Sequence, residues 1–326
     1  MLRTVLIGVP LVLAALAAIY ALGPRVPSDT TIRFDPNPIG NDVEGYLAFR
    51  EADVPNIRPG NAKEVVWADP DTRGRTPLSI VYIHGFSASK GEIRPVPDRV
   101  AKALGANLFF TRLTGHGQDG PAMATASVNA WVNDVAEALA IGRAIGERVI
   151  VMATSTGGSL ATWAATRPEL SENVVAYVLL SPNFGVQAAG AGLLTGPWGL
   201  QLAELVGGKE RGFEPANDLQ RQFWTTRYPM AATLPMAAAV ELARAAPVET
   251  IGVPALFLLS DEDKVIRPEA AKSVARRWGG KAEIARVEGA DHASSHVIAG
   301  DALSPNMTGP VSDKIVQWIR TVIPGS

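Results

Sequence analysis

The sequence predicts an α/β fold: a mainly parallel central sheet, helices on both faces and a helical insertion over one end. Three observations predict it. Short apolar, β-branched runs alternate with segments of helical periodicity, the pattern of repeated βαβ units. Those runs end in polar or glycine residues, which gives the sheet a polar rim at the C-terminal ends of its strands, where such sheets bind ligands. One run, Val149-Ile150-Val151-Met152-Ala153, breaks at Thr154-Ser155-Thr156-Gly157-Gly158 directly into a helix-like stretch from Ser159 to Thr166. A serine is thereby held in a tight strand-to-helix turn.

The elements follow in order. Lys63 to Ala68 reads as an early strand closed by Asp69-Pro70. Leu78 to Ile83 is apolar and β-branched and ends at His84-Gly85, as a central buried strand should. Arg94 to Leu104 reads as a helix and Asn107 to Thr111 as the next strand. Val128 to Ile145 carries Trp131, Val132, Val135 and Leu139 at helical spacing. After the serine turn and its helix, Val174 to Leu180 is a strand ended by Ser181-Pro182, and Pro254 to Leu259 is another, ended by Ser260-Asp261. Glu269 to Trp278 is helical, Glu283 to Val287 a strand, and Val311 to Val322 a terminal amphipathic helix. From Phe184 to about Ala246 no convincing strand occurs, and the stretch is rich in Ala, Leu, Gly, Trp and Met. So long an insertion at the rim reads as a helical cap over a site.

Composition narrows the function. The chain has 326 residues, 47% of them hydrophobic, and a formal net charge of −2. With no long basic run, a nucleic-acid partner is not expected. There is no cysteine, which removes disulfides, thiolate metal sites and a cysteine nucleophile. No His/Asp/Glu spacing points to a metal, and the serine turn fits neither a phosphate-binding loop nor a dinucleotide fingerprint. No cofactor is expected.

The first segment reads as separate from the domain. Behind Arg3 an uncharged apolar stretch runs from Thr4 to Gly23, before Pro24 and Arg25. About 20 apolar residues can span a bilayer, whereas a signal peptide has a core of only ~7–15. Residues 1–24 are therefore expected to be an uncleaved transmembrane anchor, with a cleaved secretory signal as the alternative. Arg3 and the terminal amine favour a cytoplasmic N-terminus with the domain outside the cytoplasm, against the vote of Arg25. Residues 25–60 read as linker and lead-in, with Pro24 to Gly40 the linker proper. Residues 61–326 read as the domain, with the cap at about 184–246.

The chemistry is carried by a set of rim residues. A tight turn exposes the Ser155 hydroxyl, and the helix behind it supplies backbone N–H groups to an oxyanion. The pattern departs from Gly-x-Ser-x-Gly only at Ala153, the smallest change available. A serine nucleophile needs a base oriented by a carboxylate. Of the four histidines, His84 and His116 precede the serine, while His292 and His296 follow the last strand. The order Ser, acid, His, which resembles that of α/β-hydrolases, points to the later pair. The acid should follow the strand ending at Leu259, where Asp261, Glu262 and Asp263 qualify. The segment from Ser260 through Asp263 and Val265-Ile266 to Pro268 resembles a recurring hydrolase pattern, and that resemblance points to Asp263.

These motifs resemble the α/β-hydrolases of the monoacylglycerol lipase and bacterial carboxylesterase type. The resemblance rests on His84-Gly85-Phe86, Arg112-Leu113-Thr114-Gly115-His116-Gly117, the Ser155 turn, the Asp263 segment and His296-Val297-Ile298, and spans roughly Thr76 to Ile323. It implies an α/β-hydrolase fold with Ser155 as nucleophile, Asp263 as orienting acid and the N–H groups of Phe86 and Thr156 as the oxyanion hole. For the base, strand register points to His292 and the His-Val-Ile sequence to His296, which is favoured. The implied activity is hydrolysis of a small, uncharged, monoacylglycerol-like acyl ester through an acyl-enzyme. Amide or thioester cleavage, acyl transfer, or a non-catalytic binding protein are the alternatives. The sequence leaves the oligomeric state open.

Overall fold

In a computed structural model, residues 13–325 are described. Nine strands are formed among them: β1 (Glu64–Val66), β2 (Thr76–Ile83), β3 (Asn107–Phe110), β4 (Gly146–Thr154), β5 (Val174–Leu180), β6 (Glu210–Gly212), β7 (Arg227–Pro229), β8 (Ala255–Leu259) and β9 (Ala282–Arg286). Seven make the central sheet in the order β1-β3-β2-β4-β5-β8-β9. Only β1 runs antiparallel to its neighbour; the other pairings are parallel. The predicted fold class is the one observed.

The longer helices are α1 (Val43–Ala52), α2 (Val96–Leu104), α3 (Val128–Ile145), α4 (Thr156–Ala165), α5 (Gly199–Gly207), α6 (Asp218–Phe223), α7 (Thr233–Ala245), α8 (Pro268–Arg277) and α9 (Pro305–Val322). Strand alternation decides which of them each face receives. Val81 and Ile83 of β2 join a core layer with α3, α4, α7 and α8. Leu78, Ile80 and Tyr82 of the same strand join the opposite layer with α2 and α9. A sheet covered on both faces has strands that are apolar throughout, and this is why they are readable as unbroken runs.

Three expectations are altered. The stretch from Pro24 to Gly40 is no free linker: Val26, Ile32 and Phe34 pack against the core. The Arg33 and Phe34 N–H groups both donate to Asn133 Oδ1 on α3, at 2.7 and 2.8 Å. The region from Phe184 to Ala246 is not purely helical, because β6 and β7 pair as an antiparallel ribbon within it. Its last helix, α7, buries Met236, Ala239, Val240 and Ala243 in the main core, so it is scaffold and the cap proper ends before it.

The expected anchor lies partly outside the described residues, since residues 1–12 are not among them. Residues 13–21 are helical. Among the described residues no helix is long and apolar enough to cross a membrane.

Candidate active site

The carboxyl ends of β2, β4, β8 and β9 place the rim residues. At the end of β4, Ser155 has φ 50° and ψ −119°, a left-handed conformation costly for a residue with a Cβ. The turn is locked from both sides. Ser155 N–H donates to Leu180 O at 3.0 Å, and Ser155 O accepts from the N–H groups of Ser159 and Asn183. Two residues on, a Cβ at Gly157 would lie 2.3 Å from Ile83 O. Only glycine lets α4 start so close to β2, which explains the small residues around the serine.

His296 joins the serine to a carboxylate. Its Nδ1 lies 2.7 Å from Asp263 Oδ2 and its Nε2 3.0 Å from Ser155 Oγ. Ionised carboxylate oxygens only accept, so the proton belongs on Nδ1 and Nε2 is the free acceptor for the serine O–H. The second oxygen, Asp263 Oδ1, accepts from Val265 N–H at 2.7 Å and Ile266 N–H at 2.9 Å. Asp263 and His296 are both buried. A carboxylate satisfied in this way holds the imidazole in one orientation and one tautomer.

His292, the other base suggested by the sequence, is not joined to this relay. Its Nδ1 meets Ser294 Oγ at 2.8 Å. Burial, and then the nearby His296, lower its pKa from the ordinary value. It lines the pocket wall. The chain reaches His296 through a turn in which Ser295 N–H donates to His292 O and Ser295 has φ 51°. Asp261 faces outward to Lys272 and Arg286.

The N–H groups of Phe86 and Thr156 have no backbone or side-chain acceptor among the described residues. Both residues line the same cavity as Ser155. Thr156 opens α4, so its N–H also carries the positive end of the helix dipole. The loop holding Phe86 is shaped by buried histidines. His84 Nδ1–H donates to Gly85 O at 2.9 Å, and its Nε2 accepts from Leu113 N–H at 3.1 Å. Burial pushes the His84 pKa down to about 4. His116 is likewise held well below its ordinary value by burial and by His84. Neither is hydrogen-bonded to Ser155.

Sequence reasoning missed Glu92. It is buried in the cavity floor, and its Oε2 accepts from Gly85 N–H at 2.7 Å and from Tyr82 O–H at 2.8 Å. It therefore braces the peptide that precedes Phe86. Desolvation outweighs those hydrogen bonds and raises its pKa above the ordinary 4.5. The unfolded chain then loses this proton first as pH rises, so stability falls on passing above the ordinary carboxyl range. Glu92→Gln keeps an acceptor for Gly85 N–H and removes the charge. It is expected to raise the urea midpoint at neutral pH, with the gain vanishing below about pH 4. A gain that persists unchanged in acid would refute the assignment.

The cavity holds about 840 Å³ and is bounded by both the rim and the cap. Phe86 meets the cap residue Tyr228 edge-on, at a centroid distance of 5.2 Å. Leu202, Trp224, Met230 and Met236 make much of the remaining wall apolar. Among the described residues no cluster of His, Asp or Glu could hold a metal.

Comparison with known proteins agrees with this architecture. Residues 80–303 match the model of the alpha/beta hydrolase family. The chain is 25% identical over 201 residues to the thermostable monoacylglycerol lipase of Bacillus sp. (strain H-257), covering 62% of this chain and 76% of that protein. Among solved structures it resembles a metagenome-derived lipolytic enzyme from a study of LipS and LipT, with a TM-score of 0.66 at 18% identity over 82% of this chain and 100% of the other. It also resembles a soluble variant of the monoglyceride lipase of Saccharomyces cerevisiae, with a TM-score of 0.60 at 13% identity over 81% of this chain and 92% of the other. The match to the family model takes in the sheet from β2 to β9 together with the Ser155, Asp263 and His296 segments, and on that evidence the chain belongs to the alpha/beta hydrolase family.

Proposed function

We propose that the protein is a serine esterase acting on uncharged, lipid-like acyl esters such as monoacylglycerols. The observation that carries this reading is the unbroken relay from Asp263 through His296 to Ser155, at 2.7 and 3.0 Å. In this mechanism His296 Nε2 takes the Ser155 proton as Oγ attacks the acyl carbonyl carbon. Asp263 stabilises the resulting imidazolium, and the Phe86 and Thr156 N–H groups receive the oxyanion. Collapse of the tetrahedral intermediate breaks the ester C–O bond, and His296 returns the proton to the departing alcohol. Water then attacks the acyl-enzyme by the same route and frees Ser155.

The cavity favours an acyl chain over a small polar group. Its volume of about 840 Å³ lies toward the upper end for small-molecule pockets. Arg211 and Glu214 contribute opposite charges to the wall, and Lys264 Nζ is engaged by Ala293 O. No cationic clamp for a phosphate or a second carboxylate results. The monoacylglycerol lipase relative supports the same substrate class.

A series of p-nitrophenyl esters of graded length tests this. The expected result is a kcat/KM that rises from acetyl to medium-chain esters, each added methylene gaining at most about fourfold, or ~0.8 kcal/mol. A strict preference for acetyl or for charged esters would overturn it. We further assign residues 1–24 to a membrane anchor, with the domain on the extracytoplasmic side, on the strength of the uncharged run from Thr4 to Gly23.

A further inference from the structure

Large apolar side chains left in water are not scattered over this protein. Among the described residues, ten of the thirteen exposed ones fall in two places: Leu13, Leu16, Ile19, Tyr20 and Leu22 at the N-terminus, and Leu193, Leu205, Val206, Phe213 and Leu219 in the cap. Such concentration marks an interaction surface, whereas single exposed apolar residues need no explanation. Leu205 and Val206 are 82% and 88% exposed at the end of α5.

The two groups are joined by a clamp. Trp198 Nε1–H donates to Ile19 O at 3.0 Å, and Trp198 N–H donates to Pro24 O at 2.8 Å. The ring closes over Gly23, where a Cβ would lie 2.2 Å from Trp198 Nε1. Trp198 itself has φ 60° and precedes the first residue of α5. At ~1.5 Å per residue, α5 carries Leu205 to about 10 Å from the clamp. The end of the N-terminal helix is thus fixed to the cap, and Leu193, Val206 and Phe213 border both the exposed face and the cavity containing Ser155.

We propose that this face, formed by the residue 13–22 segment and the cap, rests on a lipid bilayer, so that the cavity receives its acyl ester laterally from the membrane. The occupant follows from the chain ahead of Leu13. Those twelve residues continue the apolar run with Arg3 as their one charged side chain. From Thr4 to Gly23 the run has the length of about 20 residues that spans a bilayer, and its end is the segment gripped by Trp198. The lateral supply of ester rests on the esterase reading; the contact with lipid does not.

The test uses the full chain reconstituted in phosphatidylcholine vesicles. Because the protein has no cysteine, Leu205→Cys can be labelled alone with a nitrobenzoxadiazole dye. Asp313→Cys, on the exposed side of α9, serves as control. Nitroxide carried on the lipid acyl chains should quench the label at 205 severalfold more than the label at 313. Equal quenching overturns the proposal. So does a label at 205 that is untouched by lipid nitroxide but self-quenches between two copies of the chain, since the face is then a dimer interface. On the supply route, Leu205→Asp should lower hydrolysis of a vesicle-borne long-chain ester by about tenfold, the scale of one buried leucine. Leu205→Phe should restore that rate, and water-soluble p-nitrophenyl acetate should be cleaved at the same rate by all three proteins. Equal losses on both esters, or no loss on either, overturn lateral supply. Loss of acetate hydrolysis by the unsubstituted protein would instead count against the esterase reading and leave the quenching result standing.

Discussion

Ser155→Ala is expected to lower ester turnover by about 10⁶-fold, the scale seen when a nucleophile of this kind is removed. The thermal midpoint should move little. Among the described residues the side chain has one polar partner, His296 Nε2, and that contact is lost with the reaction rather than with the fold. The backbone conformation is held by Leu180 O, Ser159 N–H and Asn183 N–H, none of which involves the hydroxyl. Alanine retains the strained φ of 50°. Ser155→Gly relieves it, and should be equally inactive yet more stable, by about 1 kcal/mol. Ester assays run to the detection limit, beside thermal unfolding of all three proteins, check both halves. Activity of Ser155→Ala within tenfold of the unsubstituted protein would remove Ser155 from the mechanism.

His296→Ala and His292→Ala are expected to differ by orders of magnitude. The first removes the group proposed to take and return the proton, and should cost about 10⁴-fold or more in kcat. It also leaves Asp263 Oδ2 without its ring donor, while Oδ1 keeps two backbone N–H groups. The second trims a cavity wall and a contact to Ser294. It should change KM severalfold and kcat by less than about tenfold. Single-turnover rates with a chromogenic ester separate the two effects. If His292→Ala were the inactive variant, the relay through His296 would be the wrong assignment.

Much of the fold could be read from the chain because this sheet is covered on both faces. Its strands are unbroken apolar runs such as Ile80 to Ile83, and each helix between them buries a stripe at regular spacing. Periodicity gave no purchase on β6 and β7. Strands of three residues, mostly exposed and including Gly212 and Pro229, carry too few positions for an alternation to appear. Composition places α7 with the cap because it does not say which surface a helix covers; Ala239 and Ala243 face the scaffold only once α4 is in place.

The site divides in the same manner. Ser155 and Asp263 stand where strand ends meet glycine or polar residues, a local signal. The choice between His292 and His296 depends on the path of one loop, in particular on the left-handed Ser295, and spacing from β9 alone suggested the wrong side of that turn for contact with Asp263. Glu92 gave no signal at all. Its partners are a backbone N–H and a tyrosine hydroxyl, and an acidic residue in a lead-in turn looks like any solvated charge.

The packed strap between Val26 and Phe34 sets where the catalytic unit starts. By composition the natural front boundary would fall after Gly40, beyond the prolines and aspartates. By packing it falls at Pro24, since Val26, Ile32 and Phe34 cover core side chains and Asn133 spends its amide on this segment. Trimming to the first predicted strand would strip a seam from the protein's own interior, whereas residues 13–22, exposed throughout, belong to neither core layer.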